Sequence, residues 1–189
     1  MCVTLIALTG GPGTGKTTLI TELQKRGYNV IPEAARDLQR RIKQGSHPAP
    51  LPKEDPQGFN EALIHVMDEQ LQRYDGALTF LDRSPLDILG YTAHFSVEPP
   101  TLAATLADKY RPSLGLFPDP LPTYVQDEER HESLEESLAI HGALKATYQS
   151  SGVQVRSVPF EPGSFKQSVE KRTNNLIRIV QEELSNSYD

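Results

Sequence analysis

"LIALTGGPGTGKTTLI", residues 5–20, carries an apolar run into a turn of four glycines, a proline and one lysine, then into a pattern of helical period. So many unobstructed backbone amides at one turn suit convergence on anionic oxygens, because glycine has no side chain to hold them apart. The stretch fits G-x-x-x-x-G-K-[ST] from Gly10 through Gly15, Lys16 and Thr17. It lies after a predicted strand and opens a predicted helix, whose positive end points to the same spot. The ligand implied is a nucleoside triphosphate with Mg²⁺, cradled by Gly11, Gly13, Thr14 and Gly15. Lys16 then sits between the β and γ phosphates, and the Thr17 hydroxyl is offered to the metal. Thr18 has two readings, a contact to the α phosphate or a structural threonine facing the first helical turn.

Working outward, the chain alternates strand and helix, the signature of an α/β fold. Val3 to Leu8 reads as a buried strand and Lys16 to Lys25 as a helix ended by Gly27. "YNVIPEAARDLQRRI" gives a short strand to Ile31, a break at Pro32 and a helix bearing Ala34, Ala35, Leu38 and Ile42. The four prolines between Gly45 and Gly58 predict a surface loop, followed by a helix from Asn60 to Tyr74. "GALTFLDRSP" is the next buried strand, and Pro85 opens a helix capped by Ser84. A short helix in "VEPPTLAATLADKYRP" and a strand in "SLGLFPDPLPTY" follow. Ser133 and Glu136 predict a capping box for a long helix carrying Leu134, Leu138, His141 and Tyr148. "VQVRSVP" is the last strand, and a helix from Ser164 to about Glu183 turns Val169, Leu176, Ile177 and Val180 inward.

The 189 residues suffice for one substantial core and predict a single domain over 1–189. No stretch approaches the roughly 20 apolar residues of a membrane span. The lone cysteine, Cys2, excludes an internal disulfide and a cysteine zinc site, and with the absence of a basic leader it points to the cytoplasm. A net charge of −6 argues against a general grip on nucleic acid. The partner expected is a small acceptor molecule; the oligomeric state stays open.

Three further stretches carry chemistry. "LTFLDRSPLD" delivers Asp82 to the carboxyl end of a strand, where open parallel sheets bind ligands and a carboxylate can hold the metal through water. The bland alternative is a turn or capping aspartate. Arg83 faces a phosphate or the acceptor, or else pairs with a buried acid. In "VIPEAAR", Glu33 is placed to accept a proton from an acceptor hydroxyl; alternatively it is a helix-start glutamate with Arg36 as its surface partner. "YVQDEERHESLEE" precedes a helix and can close over the triphosphate, with Arg130 stabilising transition-state charge. Its glutamates read as a solvated face and His131 as a surface histidine. Asp87 and Tyr91 are candidates for an acceptor pocket, with core packing as the alternative for Tyr91.

Together "GGPGTGKTT", "PEAAR", "FLDRSPLD" and "YVQDEER" give a chain that resembles the small P-loop kinase-like family of bacterial ATPase domains. It looks similar to the ribosylnicotinamide kinase domain of the NAD regulator and to deoxynucleoside kinases. The resemblance implies a five-stranded parallel sheet of order 2-3-1-4-5 with helices on both faces and a short lid. It places the base on Glu33, the acidic-Arg-Ser element on Asp82, Arg83 and Ser84, and the lid arginine on Arg130. It also sets the loop from Pro159 to Gly163 beside the adenine. Deoxynucleoside kinases usually carry glutamate where this chain has Asp82, and several lid arginines where it has Arg130 among acids.

The resulting expectation is an ATP phosphotransferase acting on a hydroxyl of a nucleoside-like acceptor. A nucleotide kinase is the near variant, for which Arg36, Arg40, Arg41, Arg73 and Arg111 are the candidate phosphate ligands. A regulatory nucleotide switch without an acceptor is the alternative class. N-K-x-D and L-S-G-G-Q are both absent, which disfavours a GTPase and a transporter-type ATPase.

Overall fold

The computed structural model describes residues 5–75, 77–122 and 133–186. Five strands, β1 (Leu5–Leu8), β2 (Asn29–Ile31), β3 (Thr79–Asp82), β4 (Leu114–Pro118) and β5 (Gln154–Val158), form one sheet of order β2-β3-β1-β4-β5. All four pairings are parallel. Parallel neighbours need crossovers, and these are supplied by α1 (Lys16–Lys25), α2 (Ala34–Lys43), α3 (Pro56–Leu71), α4 (Pro85–His94), α5 (Ala103–Lys109), α6 (Leu134–Ser150) and α7 (Phe165–Asn186).

β1, β3 and β4 are buried along their whole length because helices cover both faces, which is why they read as continuous apolar runs. Successive side chains alternate between faces. Ile6, Leu8, Phe80, Leu114 and Leu116 pack with Leu19, Leu23, Leu176 and Val180 of α1 and α7. Leu5 and Leu81 face α2 to α5, while Ala7 and Phe117 meet Ile140, Leu144 and Tyr148 of α6. At Gly115 a Cβ would stand 2.8 Å from the Tyr148 ring, so this glycine is what admits the tyrosine.

Three local expectations change. α3 starts at Pro56, not Asn60, because Asp55 caps it by accepting from the Gly58 amide at 3.0 Å with proline in the first turn. On α6, Leu134 and Leu138 are exposed, and the inward stripe is Ser137, Ile140, Leu144 and Tyr148. Ser133 does cap this helix, accepting from the Glu136 amide, while the reciprocal capping box belongs to Ser84 and Asp87 on α4. Val169 is only half-buried, since it borders a pocket instead of the core.

Candidate active site

Sheet register sets the site. Leu8 pairs with Asp82 and Ile31 with Leu81, so β1, β3 and β2 end side by side and discharge the phosphate loop, Asp82 and Glu33 at one edge. The loop turns at Gly10, Gly13 and Gly15, with φ of 122°, 75° and 81°, all conformations open to glycine at little cost. Gly15 caps α1, whose first turn holds no acidic residue, leaving its positive end uncompensated toward the loop. Lys16 Nζ lies across the loop, donating to the carbonyls of Gly10 (2.9 Å) and Gly11 (2.7 Å) and to Thr14 Oγ1 (3.2 Å). Burial, then the Arg83 charge, lowers its pKa to about 7 against the pull of Asp82, Glu33 and Asp87. An ammonium so placed gains most when phosphate oxygens replace carbonyls as its partners.

Two helices far along the chain brace this loop. From α6, Ser137 Oγ donates to the Pro12 carbonyl at 2.7 Å, and the Gly11 amide donates to His141 Nδ1 at 3.4 Å. A Cβ on Gly11 would meet the Ser137 carbonyl at 2.2 Å, so no other residue fits there. From α7, buried Arg172 donates to the carbonyls of Thr14 (3.1 Å), Asp119 (2.9 Å) and Val158 (3.3 Å). Sequence reading missed Arg172, Ser137 and the role of His141. One signal existed: Arg172 stands in the same helical register as inward-facing Leu176 and Val180, where a cation has no reason to be unless it has buried partners.

Thr17 and Thr18 part company. Thr17 joins Glu33 and Asp82 on a groove of about 800 Å³, whereas Thr18 lines a smaller cavity of about 250 Å³ with Leu121, Phe160, Phe165 and Arg172. Asp82 is buried, and burial together with the Glu33 charge raises its pKa to about 6, opposed by Arg83 and Lys16. It does not cap α4, since Ser84 does, accepting from the Leu86 amide. A carboxylate of this kind favours a cation. Among the described residues no cluster of three or more His, Cys, Asp or Glu side chains forms a metal cage. One hydroxyl, Thr17, and one carboxylate, Asp82, on the groove beside the phosphate loop would instead fit Mg²⁺, which keeps several of its waters.

Glu33 is held by two guanidiniums. Arg36 Nε lies 2.7 Å from one carboxylate oxygen and Arg83 Nε 2.9 Å from the other. Burial works to raise its pKa, but Arg83 and then Arg36 outweigh burial and hold it below the usual glutamate value. Arg83 adopts φ 70°, a left-handed backbone that costs a non-glycine residue about 1 kcal/mol. The conformation aims its side chain at Glu33, at Asp87 (3.3 Å) and over the Tyr91 ring at 5.2 Å. Asp87 is not an acceptor-pocket residue. It is a buried hub that accepts from Thr9 Oγ1, Tyr148 Oη and the Ser84 amide, and so fixes Arg83 to the core. Arg130, His131, Glu128 and Glu129 lie outside the described residues.

Of the other arginines, Arg36, Arg40, Arg41 and Arg73 line the 800 Å³ groove. Arg111 instead pairs with Asp108 on the exposed surface at 2.6 Å.

Residues 5–172 match the model of a family described as AAA domain. The chain belongs to this AAA-domain family. The match ends at Arg172, the residue by which α7 reaches the phosphate loop. No curated protein matches the sequence significantly. Among solved structures, a thymidylate kinase from Ehrlichia chaffeensis superposes with a TM-score of 0.60 at 13% identity, covering 94% of this chain and 98% of that one. NadR protein, solved in complex with NR, superposes with a TM-score of 0.68 at 16% identity and covers 96% of this chain. The chain spans only 51% of that protein. At these identities the likeness establishes the fold, that of the P-loop kinases, with the five-stranded parallel sheet of the order expected.

Proposed function

We propose that this chain is an ATP-dependent phosphotransferase that moves the γ phosphate to a small, nucleoside-like acceptor bound in the groove. The observation that carries the reading is the groove itself. It opens beside Thr17, Asp82 and Glu33, at the mouth of the phosphate loop, and is walled by α2 and the end of α3. A nucleotide switch needs no second cavity of this size at its γ-phosphate end, and a kinase does.

The smaller cavity supports the donor side. Gly15, Thr18 and Arg172 border it, with Phe160, Phe165, Leu121 and Val169 as apolar walls, an environment for a flat base next to the α phosphate. In this reading the amides of Gly13, Thr14 and Gly15 bind the β phosphate and Lys16 spans β and γ. Thr17 and Asp82 would hold Mg²⁺, which would supply positive charge to the triphosphate. Arg83 is the candidate to stabilise charge that grows on the transferring group, and Arg130, outside the described residues, is the second candidate for that role. Glu33 takes one guanidinium on each oxygen, which leaves lone pairs for an acceptor proton.

The test is turnover of ATP by the full chain with and without an acceptor panel. Acceptor-stimulated turnover with labelled product supports the phosphotransferase. Turnover indifferent to every acceptor, coupled to a change in protein association, supports the switch.

A further inference from the structure

The smaller cavity gives the donor a chemical class: we infer that it takes the donor base by its faces and not by its edges. Purine nucleoside triphosphates then bind as a class, ATP and GTP alike, with Phe165 stacked on the ring. This rests on the donor half of the phosphotransferase reading and specifies its first substrate.

Position and charge decide what the cavity of about 250 Å³ can hold. Gly15 and Thr18 border it, at the positive end of α1, whose first turn holds no acidic residue. Leu121, Pro122, Phe160, Phe165 and Val169 supply apolar walls. A ligand with an anionic tail at the loop and a flat apolar body in the cavity matches both ends. A nucleotide is such a ligand.

Phe165 is the second observation. It is the first residue of α7, it lines the cavity and it is 78% exposed, so it covers little of its own chain. The turn that carries it is pinned. The Ser164 amide and hydroxyl donate to Gln167 Oε1 at 3.1 and 3.0 Å, and the Gln167 amide donates to Ser164 Oγ at 3.4 Å. Asn175 Nδ2 donates to Glu161 Oε1 at 2.7 Å, which ties the preceding loop to the same helix. An aromatic ring on a fixed turn, with most of its surface uncovered, is a stacking platform. Stacking accepts every base, because every base has a π face.

The polar lining is the third observation. Adenine carries an amino donor at N6 where guanine carries the O6 acceptor, and guanine adds an amino group at N2. Side chains tell the two apart through groups of fixed sense, such as a carboxylate. Among the described residues no Asp, Glu, Asn or Gln lines the cavity. The hydroxyls that do, Thr18 and Ser168, both donate and accept, so they suit N6 and O6 equally. Arg172, the remaining polar side chain, is turned to main chain, donating to the carbonyls of Thr14, Asp119 and Val158. The larger bicyclic face then favours purines over pyrimidines.

The experiment is equilibrium binding by the full chain with Mg²⁺ and ATP, GTP, CTP, UTP or tripolyphosphate. The sequence holds no tryptophan, so Phe165→Trp supplies a single reporter. ATP and GTP should quench it with Kd values within about tenfold of each other, CTP and UTP should bind more weakly, and tripolyphosphate should bind without quenching. In Phe165→Ala the Kd for ATP and for GTP should rise by roughly five- to a hundredfold, with tripolyphosphate affinity unchanged. An equal loss for tripolyphosphate marks a merely structural residue and overturns the inference. So does a preference between ATP and GTP above about tenfold, the mark of an edge-reading group. Nucleotides that bind by calorimetry without quenching overturn it too. Acceptor-stimulated transfer from ATP beside any of these results leaves the phosphotransferase standing. The expected binding pattern without transfer to any acceptor keeps the inference and overturns the phosphotransferase.

Discussion

The phosphate loop is braced by α6 and α7, whose side chains hold its backbone in place, whereas the groove beside it presents α2 side chains, Asp37, Arg40 and Arg41, that hold one another. The loop is made of main chain and buried bonds. The groove carries exposed and half-exposed ion pairs such as Arg40 with Asp37, where Arg40 is 67% exposed and a pair contributes about 0–1 kcal/mol. One region is fixed before its ligand arrives. The other can exchange partners at small cost.

The contrast can be broken most directly at Lys16. Lys16→Ala should reduce triphosphate turnover by roughly 10³-fold or more while the thermal midpoint is kept or raised, because the ammonium is buried with a lowered pKa and adds nothing to the core. A variant that unfolds, or stays active, contradicts a loop held by other elements. Arg172→Ala tests the brace itself. It strips the donors from three carbonyls, and a loss of about 3 kcal/mol by denaturant titration is expected, with nucleotide affinity weakened as well. If stability is unchanged, α7 does not brace the loop.

Asp82→Asn sharpens the comparison by separating function from stability. The Asp82 pKa is raised to about 6 from 3.8, so its charge opposes folding fully above about pH 6, less as pH falls, and not at all below about 4. The variant should therefore be more stable by about 1–3 kcal/mol at pH 7, with the gain fading at pH 4, and should lose its response to Mg²⁺ in turnover. A destabilised variant at pH 7 overturns the assignment of burial as the cause. The smallest effect is in protons. Lys16, near 7 without ligand, should be driven fully cationic by a triphosphate, so binding at pH 8 takes up at most one proton and at pH 6 almost none. Calorimetry in buffers of different ionisation enthalpy reads this, and Lys16→Arg, always charged, should abolish it. Proton release at pH 8 refutes it.

What was legible follows the same division. The turn from Gly10 to Thr17, the buried strands and the positions of Asp82 and Glu33 are written in contiguous residues, because backbone geometry and strand period are local properties. The order of the strands followed from the family resemblance. The groove could not be read, since Arg40 and Arg73, far apart in sequence, come to one groove only on folding. Asp87 was misread for a related reason. Its partners Thr9 and Tyr148 sit on β1's end and on α6, and only assembly turns an apparent pocket acid into a core hydrogen-bond hub. Leu134 and Leu138 satisfy helical spacing yet face outward, because the inward stripe of α6 is set by Ser137, Ile140, Leu144 and Tyr148.

The brace from Arg172 also gives the molecule a timetable. The loop leaves the ribosome well before the side chains that steady it, Ser137, His141 and Arg172. At roughly 5–20 residues per second, the glycine turn waits roughly ten to thirty seconds for its supports. The last of those supports is in place only when α7 docks against α1.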